Sequence, residues 1–141
     1  MGSLENLELE LDRANAAFYR AFQSLDIRRM QDIWAIDQPV QCIHPSQDVC
    51  RGWPEVRDSW VRIFNHTGKI QFQITDVEIV LAGDLAWVSC VENVATPNGD
   101  EVEISRILAT NLFRRRDGGW KMIHHHASSV FFPRPQSPTT D

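Results

Sequence analysis

Three consecutive histidines, His124-His125-His126, follow the β-forming run Trp120-Lys121-Met122-Ile123 near the end of this chain. Imidazole titrates near pH 6.5 and can donate or accept a hydrogen bond, so such a cluster suits proton transfer, polar recognition or metal ligation. Successive side chains of a strand point to opposite faces, so His124 and His126 share one wall and His125 takes the other. The spacing places His124 and His126 opposite Asn111 of the preceding strand, as the polar wall of a cavity. Alternate strand positions can converge on one ion, but zinc would need a third ligand such as His44, Asp37 or Glu92, and no familiar spacing supplies it. Hydrogen-bonded pocket lining, with no metal, is the expectation for the pair.

His44 ends a short apolar stretch, Val40-Gln41-Cys42-Ile43-His44, just before Pro45. Two readings stay open for it: a proton shuttle at neutral pH, or a pocket-rim histidine tied to backbone. Cys42 would face the same side, but no neighbouring charge or nucleophile motif activates it. Asp37 reads as a cap or turn residue. Glu92 and Glu103 lie on strands whose inward face does not follow from the sequence; inside a cavity an unpaired carboxylate would have a raised pKa. Trp34, Trp60, Phe64 and Trp87 are large aromatics on elements expected to face a sheet concavity, where they serve as core or line a pocket for a flat organic ligand.

The elements that must position these groups are legible from periodicity. Apolar residues at Leu4, Leu7, Leu11, Ala14, Phe18 and Phe22 recur at helical spacing, which predicts a first helix to Leu25. Asp26 is placed to cap a second helix over Ile27 to Ala35, ended by Pro39. Gly52-Trp53-Pro54 opens a third over Glu55 to Phe64, with proline in the first turn, where its missing N–H costs nothing. From Gly68 onward the pattern is β, with strands at Lys69–Leu81, Leu85–Ala95, Glu101–Arg116 and Trp120–Phe132. Gly83-Asp84, Pro97-Asn98-Gly99-Asp100 and Asp117-Gly118-Gly119 supply the turns. Helices followed by long antiparallel strands make an α+β pattern.

At 141 residues, 43% hydrophobic and net charge −5, the chain is expected to form one domain over 1–132, with a flexible Pro/Ser/Thr tail at 133–141. Mild acidity argues against nucleic acid, and no apolar run reaches the ~20 residues of a membrane span. Cys42, Cys50 and Cys90 are an odd count without metal-ligand spacing, which reads as reduced thiols in the cytoplasm.

The element order, together with Trp34-Ala35-Ile36-Asp37, His44-Pro45, Gly83-Asp84-Leu85-Ala86-Trp87 and the closing stretch from Thr110 to Ser128, resembles the NTF2-like superfamily. Its SnoaL-like proteins, ketosteroid isomerases and the association (hub) domain of calcium/calmodulin-dependent kinase II are all similar. The resemblance implies an NTF2-like (cystatin-like) cone, with three N-terminal helices packed on a curved, mostly antiparallel sheet and a pocket at the open end. Ketosteroid isomerases use an aspartate base with a tyrosine and a protonated aspartic acid on the enolate oxygen. By position, His44 or Cys42 replaces the base, Asn111 the oxyanion acid and Tyr19, loosely, the tyrosine, so the isomerase set is not reproduced.

The resulting expectation is a small-molecule-binding protein without a cofactor. Trp34, Trp60, Phe64, Trp87, Asn111, His124 and His126 would hold a hydrophobic or aromatic ligand. If it is an enzyme, His44, Asn111 and His126 would transfer protons in an isomerase, cyclase or dehydratase reaction on a carbonyl compound. The alternative is a non-catalytic oligomerisation module like the kinase hub. Both expect a homodimer through the sheet face the helices leave bare.

Overall fold

The computed structural model describes residues 3–130; the expected 133–141 tail and the last residues of the final strand lie outside these. Helix α1 (Leu4–Ser24) starts where the Ser3 side chain accepts a hydrogen bond from the Asn6 N–H at 3.2 Å. A cap of this kind is worth about 1 kcal/mol. Asp26 caps α2 (Ile27–Ile33) in the same way, accepting from the Arg28 N–H at 2.9 Å. Helix α3 (Trp53–His66) begins two residues earlier than the sequence pattern marks, directly after Gly52, whose φ of 81° only glycine adopts without strain.

Six strands form one sheet: β1 (Gln41–Ile43), β2 (Val49–Arg51), β3 (Gln71–Ala82), β4 (Leu85–Asn98), β5 (Glu101–Arg116) and β6 (Gly119–Ser129). Their spatial order is β2-β1-β6-β5-β4-β3, and among the described residues β1 and β6 are the one parallel strand pair. β2 was not expected; its three residues carry too little pattern to be read, and pairing with β1 creates it.

The three helices cover one face of this curved, unclosed sheet. Between them lies the core, in which Leu11, Phe18, Met30, Val56, Trp60, Phe113 and Met122 are fully buried. Burying side chains of this size contributes roughly 1.5–3 kcal/mol each.

Two bulges decide which residues face that core. In β3 the register shifts between Thr75 and Glu78, where Asp76 takes a φ of 54°. In β6 the pairs Phe113–Met122 and Leu112–His124 leave Ile123 as an extra residue. An extra residue reverses the alternation beyond it. Trp120 and Met122 point inward before the bulge, and His125 and Ala127 point inward after it.

Candidate functional site in the cone cavity

The β6 bulge overturns the expected histidine wall. His124 and His126 do share a face, with ring centroids 6.3 Å apart, but it is the outer face of the sheet. His125 is the residue paired with Asn111 across the ladder, and it is buried. A metal site joining His124 and His126 to His44 or Glu92 is therefore blocked by the sheet itself. Among the described residues no three His, Cys, Asp or Glu side chains gather as a metal site.

Inside the cone, polar groups form one connected chain. Tyr19 on α1 donates its hydroxyl proton to Glu92 Oε2 on β4 at 2.6 Å. The Asn111 amide on β5 donates to Tyr19 Oη at 3.2 Å and to Asn15 Oδ1 at 2.8 Å. With both amide protons used, Asn111 Oδ1 accepts from His125 Nδ1 at 2.5 Å. The proton is thereby fixed on Nδ1, and Nε2 of His125 is left as a lone-pair acceptor. His44, at the end of β1, meets the Ser59 hydroxyl of α3 through Nε2 at 2.9 Å. Ser59 donates to the Val56 carbonyl at 2.6 Å, so His44 Nε2 is the donor and Nδ1, 4.0 Å from Cys42 Sγ, carries the lone pair.

Glu92, His44 and His125 face a cavity of about 130 Å³, together with Gln47 and an apolar lining of Phe22, Ile63, Ile70, Phe72, Val94, Ile107 and Ala127. An apolar cavity of ~150 Å³ holds benzene, so this one is sized for a single small ring. Burial pushes the Glu92 carboxyl up to about 7, partly offset by the Tyr19 hydrogen bond. Burial lowers His44 to about 4, with the Arg62 charge adding to it. Burial and the neighbouring histidines hold His125 well below the usual imidazole range. Tyr19 is raised by burial and by the Glu92 charge and stays protonated. The site thus holds a carboxyl whose titration is brought up towards neutral pH, together with two imidazoles that burial keeps neutral there.

The remaining expected site residues are dispersed. Trp60 and Phe64 sit behind the cavity in an aromatic floor with Phe18 and Phe22; Trp60 packs edge-on against His44 at 4.7 Å, without forming the lining. Trp34 is buried beside Trp53 and lines a separate groove near Asp37, Arg116 and Lys121. Trp87 lies on the outer sheet face, 40% exposed. Its neighbours in the ladder are Val80 and Leu112. Asp37 is a turn residue after α2 that pairs with Arg116. Glu103 is exposed, whereas Glu92 is the inward carboxylate. Glu92, whose facing the sequence left open, joins the site, and His125 and Asn15 are members the sequence reading did not single out. Asn15 was findable: it stands four residues after Leu11 and four before Tyr19, a polar residue inside a buried helical stripe.

This cone of three helices on a six-stranded sheet belongs to the SnoaL-like domain family, whose sequence model matches residues 11–133. Over 122 residues the chain is 31% identical to the F-box protein SKIP8 of Arabidopsis thaliana, covering 86% of this chain and 50% of that protein. It therefore spans about half the length of that relative.

A solved NTF2-like family protein from Streptomyces avermitilis, described as a candidate dehydratase, is 32% identical with a TM-score of 0.86; the match covers 92% of this chain and all of that one. A protein from Thiobacillus denitrificans, described as a candidate calcium/calmodulin-dependent protein kinase type II association domain, is 34% identical with a TM-score of 0.76, over 84% of this chain and 94% of that one. The fold is thus NTF2-like, shared with a candidate dehydratase and a candidate association domain. None of the described helices is long and apolar enough to cross a membrane.

Proposed function

We propose that the cone cavity binds a small, neutral organic compound with an apolar ring and a carbonyl or hydroxyl group, and moves a proton on it without a cofactor. Isomerisation, cyclisation or dehydration would be the outcome. The observation that carries this reading is the Glu92 carboxyl, 2% exposed and raised to about 7 by burial, in the wall of an otherwise apolar cavity. A base poised near the working pH can take a proton from a carbon acid and return it at another position. His125 Nε2 and His44 Nδ1 offer acceptors for a substrate hydroxyl or an enol. Asn111 and Tyr19 act through their neighbours: Asn111 fixes the His125 tautomer, and Tyr19 holds one Glu92 oxygen. A neutral ligand is favoured because, among the described residues, no lysine or arginine lines the cavity. Relative to the sequence expectation, His44 and Asn111 stay in the site and His125 takes the place of His126. The similarity to a candidate dehydratase supports the reaction class.

A second reading concerns the bare sheet face and is compatible with the first. Val80, Trp87, Ile104 and Leu108 are exposed there, a large apolar surface for a chain alone in water. A homodimer through this face would cover them, and the similarity to a candidate association domain supports it. The three unpaired cysteines suit a reducing, cytoplasmic setting.

Native against denaturing mass spectrometry of freshly purified protein tests the first reading. A small organic mass retained by the native protein and lost on denaturation is expected, and Ile107→Trp, which puts an indole into the cavity lining, should abolish it. Retention undiminished in that variant would place the ligand elsewhere.

A further inference from the structure

Cys42 and Cys50 stand directly opposite each other in the β1–β2 ladder, and both are free thiols. Opposed residues of an antiparallel pair project from the same face. Gly52 N–H donates to the Val40 carbonyl at 2.8 Å, which makes 40 and 52 a hydrogen-bonded pair in this register. Two positions along, Cys42 and Cys50 form the next such pair, and in pairs of this kind the Cα atoms ordinarily stand about 5.5 Å apart. That separation falls within the span a disulfide bridges, although cross-strand Cβ atoms sit somewhat wider than an unstrained bridge prefers. A bridge closed under that tension is easily reduced, which is the behaviour of regulatory rather than structural disulfides.

We propose that Cys42 and Cys50 are a reversible dithiol–disulfide pair, closed by exchange with a small-molecule disulfide such as oxidised glutathione. The order of events follows from access. Cys50 is partly exposed, whereas Cys42 is fully buried. The Cys50 thiolate attacks one sulfur of the small disulfide, breaks its S–S bond and releases one thiolate. The Cys42 thiol, which burial pushes up from its usual range, gives up its proton as its sulfur attacks the Cys50 sulfur of the mixed disulfide and expels the second thiolate, which takes up that proton. Two protein thiols are oxidised and one small disulfide becomes two thiols. Cys90 takes no part, since it lies on β4 against the Tyr19 hydroxyl.

The pair sits where closure is felt by the cavity. Cys42 Sγ lies 3.5 Å from His44 Nε2, and Cys42 is opposite His125 in the parallel β1–β6 register. Drawing its sulfur towards Cys50 removes that contact and pulls on the short strand that carries His44.

The test is incubation of the folded protein with oxidised glutathione at mildly alkaline pH, followed by alkylation under native conditions and intact mass measurement. The expected product is lighter by two hydrogens and is restored by a small dithiol reductant. Cleavage before Asp48, which separates the two cysteines, should still leave their peptides linked. Cys90→Ser should behave as the parent, and Cys50→Ser should form no bridge. A lasting glutathione adduct on Cys50, a bridge that includes Cys90, or three thiols unchanged while the protein remains folded would each overturn the proposal.

Discussion

Replacing Glu92 by glutamine removes a single titration and leaves an amide oxygen able to accept the Tyr19 proton. The carboxyl moves from 4.5 to about 7 on burial in the folded chain. A carboxyl with a raised folded-state pKa favours the fold fully below pH about 4.5, and that contribution is lost as the pH rises through about 7. At about 1.4 kcal/mol per pH unit, the loss comes to roughly 3 kcal/mol. His44 runs the other way: lowered to about 4, it stabilises the fold above the ordinary imidazole value and loses that as the pH falls through 4. The two slopes oppose each other in the parent between about pH 4.5 and 6.5, so its own pH profile hides both. The difference between Glu92→Gln and parent cancels His44, His125 and every other shared group. Urea unfolding of both proteins at half-unit steps from pH 4 to 8.5 is the assay. The variant should gain roughly 3 kcal/mol on the parent across that range, with the steepest change between pH 5 and 7. A difference that stays flat with pH would mean that Glu92 titrates like an exposed carboxyl, and the reasoning about the cavity would fail.

Asn111→Ala leaves Asn15, Tyr19 and His125 each short of a partner in the core, and about 3 kcal/mol of stability should be lost in denaturant titration. A loss under 1 kcal/mol would show that the buried polar chain is not a connected unit. Carbethoxylation followed by peptide mapping should modify His126 and His66 readily and spare His125 and His44; equal labelling of His125 and His126 would remove the Ile123 bulge from the account. Trp87→Glu on the outer sheet face should convert the proposed homodimer to monomers in sedimentation velocity while leaving the proposed ligand retention intact. A dimer that persists in this variant would place the association surface elsewhere.

The helices were legible because their apolar stripes repeat over many turns, and Asp26 and Gly52 mark their starts with a cap and a positive φ. The four long strands and their glycine turns were legible for the same reason. What could not be read was parity. Trp120, Met122 and the histidines follow one unbroken alternation in sequence, and only the pairing of Phe113 with Met122 and Leu112 with His124 reveals Ile123 as an added residue. One residue of slip moved His124 and His126 outside and brought His125 in. Glu92 stayed ambiguous because both faces of β4 carry apolar and polar residues: Val88, Cys90 and Val94 inward, Trp87, Val91 and Asn93 outward. The tryptophans could not be sorted in the sequence because bulk alone does not separate core filler from pocket lining; Trp60 is fully buried and is not among the residues that line the cavity.

Solvent deuterium uptake at the carbon next to the carbonyl is the most direct measure of the proposed proton transfer by Glu92. Parent protein and Glu92→Gln would be incubated in deuterated buffer with a panel of small cyclic ketones and hydroxyketones, and exchange followed by proton NMR. The account predicts acceleration by the parent on at least one compound, rising with pH through about 7 as Glu92 ionises, and buffer-rate exchange in the variant. Equal exchange by the two proteins, or exchange by the parent no faster than buffer across the panel, would contradict it.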